Sequence, residues 1–199
     1  MNDLEAFVRL AEALARWRGQ LVYVGGWAHR IHRMDTRAIA SAHQAVFTKD
    51  TDLAFAAAEP IEGEFKAALE GSGFKEQLSG ESKPPVAHYT LGMEGEGFYA
   101  EFLTPLAGSG FKQDGRPDAT LAKAGIAAQK IRHLDILLVD PWVVKLGPDN
   151  THLKTSMDIR VANPLAFMVQ KFLIQKQRPA KKRAQDILYI FDTFALFGG

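Results

Sequence analysis

The chain of 199 residues contains no cysteine. That absence excludes disulfides, thiolate metal sites, zinc ribbons and cysteine nucleophiles together, so any metal must be held by oxygen or by histidine. Long apolar runs are missing too. Nothing approaches the ~18–20 residues needed to span a bilayer, and the opening "MNDLEAFVRLAEALARW" carries charge throughout rather than the apolar stretch of a signal peptide. A cytoplasmic protein without membrane contact is the expectation. Also absent are G-x-x-x-x-G-K-[ST], a G-x-G-x-x-G opening a helix, and the nucleophile-elbow G-x-S-x-G. Phosphate-loop and Rossmann nucleotide binding are therefore disfavoured.

What is present describes an ordinary globular chain, 47% hydrophobic and 24% charged, of a length that suits one domain or one domain with a helical appendage. The net charge of +1 conceals an asymmetry. Residues 164–199 hold Lys171, Lys176, Arg178, Lys181, Lys182 and Arg183 against only Asp186 and Asp192. That local excess points to an anionic ligand or, equally, to a solvated helix face.

Along the chain, Leu4, Phe7, Val8, Ala11, Leu14 and Ala15 recur at the helical period over 3–18, with Gly19 where a C-terminal cap belongs. "LVYV" (21–24) reads as a strand running into Gly25-Gly26 and a helix through "WAHRIHRM". On that helix His29 and His32 read as a polar face. A polar connection over 35–46 leads to the strand "TDLAFA" and a helix over roughly 61–70. "VAHYTLGM" (86–93) and "GFYAEFLTPL" (97–106) make a hairpin about a turn at Glu94-Gly95. "GSGFK" occurs at 71–75 and 108–112 with unrelated flanks, which indicates two similar turns rather than a repeat.

Residues 107–130, rich in Gly, Ala, Lys and Asp, read as a flexible insertion or lid. "LDILLVD" (134–140), "WVVKLG" (142–147) and "MDIRVA" (157–162) read as strands, and His88 and His133 as core-edge residues within strand-like segments. Asn163-Pro164 supplies an N-cap and a first-turn proline for a helix over 164–177, Arg178-Pro179 interrupts it, and a last helix covers about 181–196. The expected fold is α+β, a mixed sheet over residues 1–162 followed by a C-terminal helical segment, 163–199, packed on it.

Asp50 and Asp52 are two residues apart, so on a strand they point to one face and repel each other unless a cation lies between them. Mg²⁺ is bound through one or two carboxylates plus substrate phosphates, which makes D-x-D a natural half-site. Glu101, the lone acid of "YAEFLTPL", supplies a third carboxylate on a strand that could lie alongside. Three carboxylates on adjacent strands suit two-metal phosphoryl or nucleotidyl transfer. Gly25-Gly26 offers a place for the triphosphate, because glycine lets the backbone approach closely and a helix N-terminus presents free N–H groups.

"VYVGGWA", "TKDTDLAF" and "YAEFLTPL", in that order, resemble the DNA-polymerase-β-type nucleotidyltransferase superfamily. The tail "NPLAFMVQKFLIQKQRPAKKRAQDILYIFDTFALFG" is similar to the helical end of a bacterial family of nucleotidyltransferase-like proteins and, more loosely, resembles nucleotidyltransferase toxins of the abortive-infection type. The resemblance covers about residues 20–197 and leaves 107–130 unmatched. It implies metal binding (Mg²⁺ or Mn²⁺) and catalysis at Asp50, Asp52 and Glu101, phosphate contacts at Gly25 and Gly26, and nucleotide contacts at Lys171, Lys182 and Asp186. Glu101 stands where Asp is commoner, and Trp27 replaces a serine-like residue, which removes any hydroxyl contact there. On its own surroundings Lys171 also reads as a lysine reaching out of an apolar helix face, and the "KKR" of 181–183 as a solvated face.

The activity implied is transfer of an NMP from an NTP to an acceptor hydroxyl of RNA, protein or a small molecule, with release of pyrophosphate. The alternative is a non-catalytic nucleotide- or partner-binding module of a toxin–antitoxin system.

Overall fold

Asn2 opens the first helix with a reciprocal cap, its side chain accepting from the Glu5 N–H at 2.9 Å while the Glu5 carboxylate accepts from the Asn2 N–H at 3.0 Å. The computed structural model describes residues 2–41, 43–46, 48–92, 97–151, 153 and 155–198. Helix α1 (Asp3–Ala13) turns its Ala6, Phe7, Leu10 and Ala11 face inward. It ends earlier than its apolar stripe suggests. The stripe continues as a 3-10 turn over Ala15–Trp17, drawn inward by Trp17, whose indole N–H donates to the Glu62 carbonyl at 2.7 Å. Gly19 lies beyond that turn and caps nothing.

Strand β1 (Val22–Val24) leads directly into α2 (Gly25–His32). Then follow β2 (Asp50–Ala54), α3 (Phe65–Gly71), β3 (Lys75–Ser79), β4 (Val86–Leu91) and β5 (Phe98–Pro105). Next come β6 (Thr120–Lys123), β7 (Ile126–Ile131), β8 (Trp142–Leu146) and β9 (Met157–Val161). The chain closes with α4 (Pro164–Leu173) and α5 (Ala180–Phe197). The fold is mixed α+β: a nine-stranded sheet in the order β3-β4-β5-β2-β1-β9-β8, with β7 on β5 and β6 on β7.

Strand β5 serves two neighbours along one edge. Residues 98–101 pair antiparallel with β4, and residues 103–105 pair parallel with β7. Residues 107–130 are thus no lid: their second half is a hairpin built into the sheet. The alternation is hard to see because small and polar residues occupy the faces, as Thr120, Ala127 and Ala128 do inside. The β4–β5 pairing is antiparallel as the sequence suggests, while its turn at Glu94-Gly95 and the end of "VAHYTLGM" at Met93 lie outside the described residues. Strand β3 has no expectation behind it, and its five residues are largely solvent-facing.

Two further readings change. "LDILLVD" forms a 3-10 helix over Asp135–Leu138, because Leu134 and Leu137 turn under α4 to pack with Val22, Val24 and Ala166; an apolar run this short suits either structure. His133 sits in a left-handed turn at φ +59° rather than in a strand. His29 and His32 are not on a polar face either. Both are fully buried, His29 with Nε2 2.8 Å from Asp192 Oδ2 and His32 with Nε2 2.7 Å from the Ala162 carbonyl.

The main core lies between the sheet and α1, α2 and α3, and it is aromatic. Trp27 stacks on Phe7 at 4.3 Å and meets Phe98 edge-on, while Phe65 stacks on Phe102 at 5.1 Å. Trp27 therefore anchors α2 and sends no side chain towards the opposite end of the glycine turn. The other end of the chain follows its signals: the Asn163 side chain caps α4 by accepting from the Ala166 N–H at 2.8 Å, with Pro164 as first helical residue.

Candidate active site

The register of three strands assembles one row across the sheet. Asp52 stands beside Glu101 in the parallel β2–β5 ladder, beside Val24 in the antiparallel β1–β2 ladder, and His88 stands on the far side of Glu101. Val24 precedes Gly25, so the start of α2 falls directly against Asp52. A Cβ on Gly25 would lie 1.9 Å from Asp52 Oδ2, and φ there is +63°. A Cβ on Gly26 would lie 2.3 Å from Thr48 Cγ2 and 2.7 Å from the Tyr189 hydroxyl. Only glycine fits either position, because the backbone must approach a carboxylate on one side and a tyrosine on the other.

These groups line a cavity of about 580 Å³, a size typical of ligand sites. One end holds Gly25, Gly26, Thr48, Asp50, Asp52 and Glu101. Helix α2 begins there with no side-chain cap, so its first N–H groups are available to an anion. The facing wall comes from the two last helices and their connection: Gln170, Lys171, Arg178, Lys182, Asp186 and Tyr189. Leu103, Leu106, Leu134, Leu137 and Ile174 form an apolar side. All eight residues singled out in the sequence as catalytic or nucleotide-binding border this one cavity.

Electrostatics divide it. Burial pushes the Asp52 carboxyl up to about 7, and the neighbouring Glu101 and Asp50 push in the same direction against the pull of Lys171 and Arg178. Glu101 is also raised, first by burial, although His88 lowers it. Its Oε1 lies 2.9 Å from His88 Nδ1, off the line of a well-aligned hydrogen bond, and His88 Nε2 is 2.6 Å from Ser79 Oγ. Asp50 accepts from Thr48 Oγ1 at 2.7 Å. On the opposite wall one acid serves two cations: Asp186 lies 3.2 Å from Lys171 Nζ and 3.0 Å from Arg178 Nε. Lys171 is 5% exposed, so burial lowers its pKa while Asp186 opposes that. It does not reach out of the apolar face; it points inward, 5.4 Å from both the Phe167 and Tyr189 rings.

Among the described residues no three carboxylate or imidazole groups form a ready-made metal cage. The convergence expected of Asp50, Asp52 and Glu101 is thus to one cavity, not to one preformed coordination shell. Their chemistry nevertheless fits a hard divalent cation. The donors are all oxygen, like-charged neighbours raise the Asp52 carboxyl, and such an ion takes only one or two protein carboxylates when phosphates and water complete its shell.

Arg178, Thr48, Gln170 and Tyr189, which line the cavity, and His88, behind Glu101, carry no expectation for this site from sequence. Arg178 carried a signal, lying in the basic cluster eight residues before Asp186. Tyr189 carried another, one helical turn beyond Asp186 on the same face. His88 carried none, since only cross-strand register brings it to Glu101.

A family model described as nucleotidyltransferase matches residues 2–198. The chain belongs to that nucleotidyltransferase family. The match runs through 107–130, the stretch that the sequence resemblance left unmatched, in keeping with the place of β6 and β7 in the sheet. Membership is consistent with an enzyme that takes an NTP and transfers its nucleoside monophosphate. No curated protein and no solved structure matches the chain. Among the described residues no helix is long and apolar enough to cross a membrane.

Proposed function

We propose that this nucleotidyltransferase is divalent-cation-dependent and moves an NMP from an NTP onto an acceptor hydroxyl, releasing pyrophosphate. The observation that carries the reading is the row Gly25–Asp52–Glu101, an open helix N-terminus beside two carboxylates in adjacent register. Bound Mg²⁺ or Mn²⁺ would neutralise charge on the triphosphate and lower the pKa of the attacking hydroxyl. Asp50 and Asp52 would hold the ion on the triphosphate side, and Glu101 would complete the site towards the acceptor.

The N–H groups of Gly25 and Gly26 receive phosphate oxygens from below. Lys171, Arg178 and Lys182 meet them from the helical wall, and Asp186 keeps the first two cations aimed. The acceptor oxygen forms the new bond to the α-phosphorus as the bond to the bridging oxygen breaks, and pyrophosphate leaves with that electron pair. Glu101, raised by burial, is placed to take the hydroxyl proton on a carboxylate oxygen, with His88 Nδ1 2.9 Å from Oε1 on the other side. The residues of 1–162 thus supply acids and glycines, and the helices of 163–199 supply cations.

The test is incubation with each α-labelled NTP, Mg²⁺ or Mn²⁺ and a cell extract, followed by separation into RNA, protein and small-molecule fractions. Label in one fraction is expected, and it names the acceptor class. Nucleotide-dependent thermal stabilisation with no label in any fraction would replace this reading with the non-catalytic binding module of a toxin–antitoxin pair.

A further inference from the structure

Helix α5 is built inside out. Its buried side is largely polar, with Asp186, Asp192, Thr193 and the Tyr189 hydroxyl facing the cavity and α2, beside Leu196 and the inward-packed Phe197. Its outer side is apolar: Ile187, Leu188, Phe191 and Phe194 are 55–63% exposed. From residue 184 to 198 the only charged residues are Asp186 and Asp192, and both are inside. Helix α4 buries Pro164, Ala166 and Phe167, with two polar side chains among them. Lys171 and Gln170 are buried, whereas Leu165, Val169, Phe172 and Leu173 are 40–72% exposed. The two helices pack on each other, Phe167 against Tyr189 at 5.8 Å, and both turn their inner faces to the cavity, so both apolar faces turn away from it.

Taking exposed aromatic and aliphatic side chains at about 150–200 Å² each, these eight residues leave roughly 700–900 Å² of apolar surface in water. That exceeds the largest patch of a typical monomer, about 300–600 Å², and equals the roughly 800 Å² that each partner contributes to a stable interface.

We propose that the outer face of α4 and α5 is the contact between two copies of this chain. A nucleic acid needs cations across the face, and the eight apolar residues have none among them; Arg183, one turn before Ile187, stands at one margin of the patch with Lys181 and Lys182 beside it. A membrane-lying helix turns its basic side to solvent and headgroups, whereas here the polar side is buried in the protein. A specific foreign partner is marked by charge or buried polar groups that set its register, and the interior of the patch holds none, its one cation, Arg183, standing at the margin. Two antiparallel-packed helices with an apolar outer face are one half of a four-helix arrangement, completed when a two-fold axis lays the same patch on itself.

Analytical ultracentrifugation at ~10–100 µM decides it. The expected mass is twice 22.0 kDa for the wild type and 22.0 kDa for Phe172→Asp/Phe191→Asp. A monomeric wild type, with or without a foreign protein co-eluting, overturns the proposal, as does a dimer that survives both substitutions. Because the chain has no cysteine, a second measurement stands if the acidic variant fails to fold. Single Phe172→Cys and Phe191→Cys variants should give covalent dimers with a short bis-maleimide, and Phe111→Cys, exposed but far along the chain in the 108–112 turn, should not. Cross-linking through Phe111→Cys with none through the helices overturns the assignment of the face.

Discussion

Two groups of polar side chains lie within reach of α5, and they are opposites. In the first, Asp192 is met by Arg33 at 2.5 Å, His29 at 2.8 Å and Ser41 Oγ at 2.9 Å, so its pKa stays below the usual carboxylate range despite burial. In the second, Asp50, Asp52 and Glu101 share one cavity, and like charges add to the burial that raises Asp52. A buried charge with matched partners locks elements together, here α2 to α5. A half-buried carboxylate set against its own sign is a cost that stability alone does not explain, and a group so placed in a cleft is a candidate for function.

The largest effect is expected of Asp52→Asn. Removing one of the like charges should leave apo stability equal or slightly raised. It should also lower transfer activity by three orders of magnitude or more, about 4 kcal/mol of barrier, and abolish stabilisation by Mg²⁺ with NTP. Thermal melts with and without the ligands, together with the labelling assay, read both effects; a destabilised apo variant that still responds to metal and nucleotide would make Asp52 a structural residue.

Asp192→Ala should behave in the opposite way. It leaves Arg33 and His29 without their partner, which for a buried pair costs roughly 3 kcal/mol or more of stability. The residual folded protein should still be stabilised by Mg²⁺ and NTP. Chemical denaturation gives the first quantity and ligand-dependent melting the second.

The histidines sharpen the paired side through pH. Burial lowers His29 and His32 to about 4, beneath the 6.5 of an unfolded chain, so the unfolded state binds more protons between those values. Their contribution is therefore complete above pH 6.5 and lost as pH falls towards 4. At pH 5 the loss is on the order of 1–2 kcal/mol for each, or several degrees in Tm for a chain of this size. Asp52, raised to about 7, binds its proton in the folded state over the same range and offsets this loss in Tm, so the check is NMR titration of the rings themselves; His29 and His32 resonances that shift near pH 6.5 would mean that they titrate normally.

Lys171→Met gives the smallest effect and lies between the two groups. The structure places Lys171 against Asp186, but Arg178 remains as a second partner, so stability should change little. Nucleotide affinity should weaken by about tenfold, near 1.4 kcal/mol. A large fall in Tm with unchanged nucleotide binding would assign the lysine to structure alone.

The sequence by itself determined whatever depends on near neighbours. Alternation along a strand put Asp50 and Asp52 on one face, Gly25-Gly26 marked the entry to a helix, and Asn163-Pro164 marked the start of another, because backbone geometry at those points is set within a few residues. The nucleotidyltransferase reading rested on that ordered set, and the family match agrees with it. Only the tertiary structure decided what each residue faces. It brought His88 to Glu101 through strand register, turned 120–131 into sheet, buried His29 and His32, and wound "DILL" into a 3-10 turn beneath α4. It also turned the polar side of α5 inward. Periodicity says that a helix has two faces and cannot say which one the rest of the molecule covers, since that is settled by partners distant in sequence.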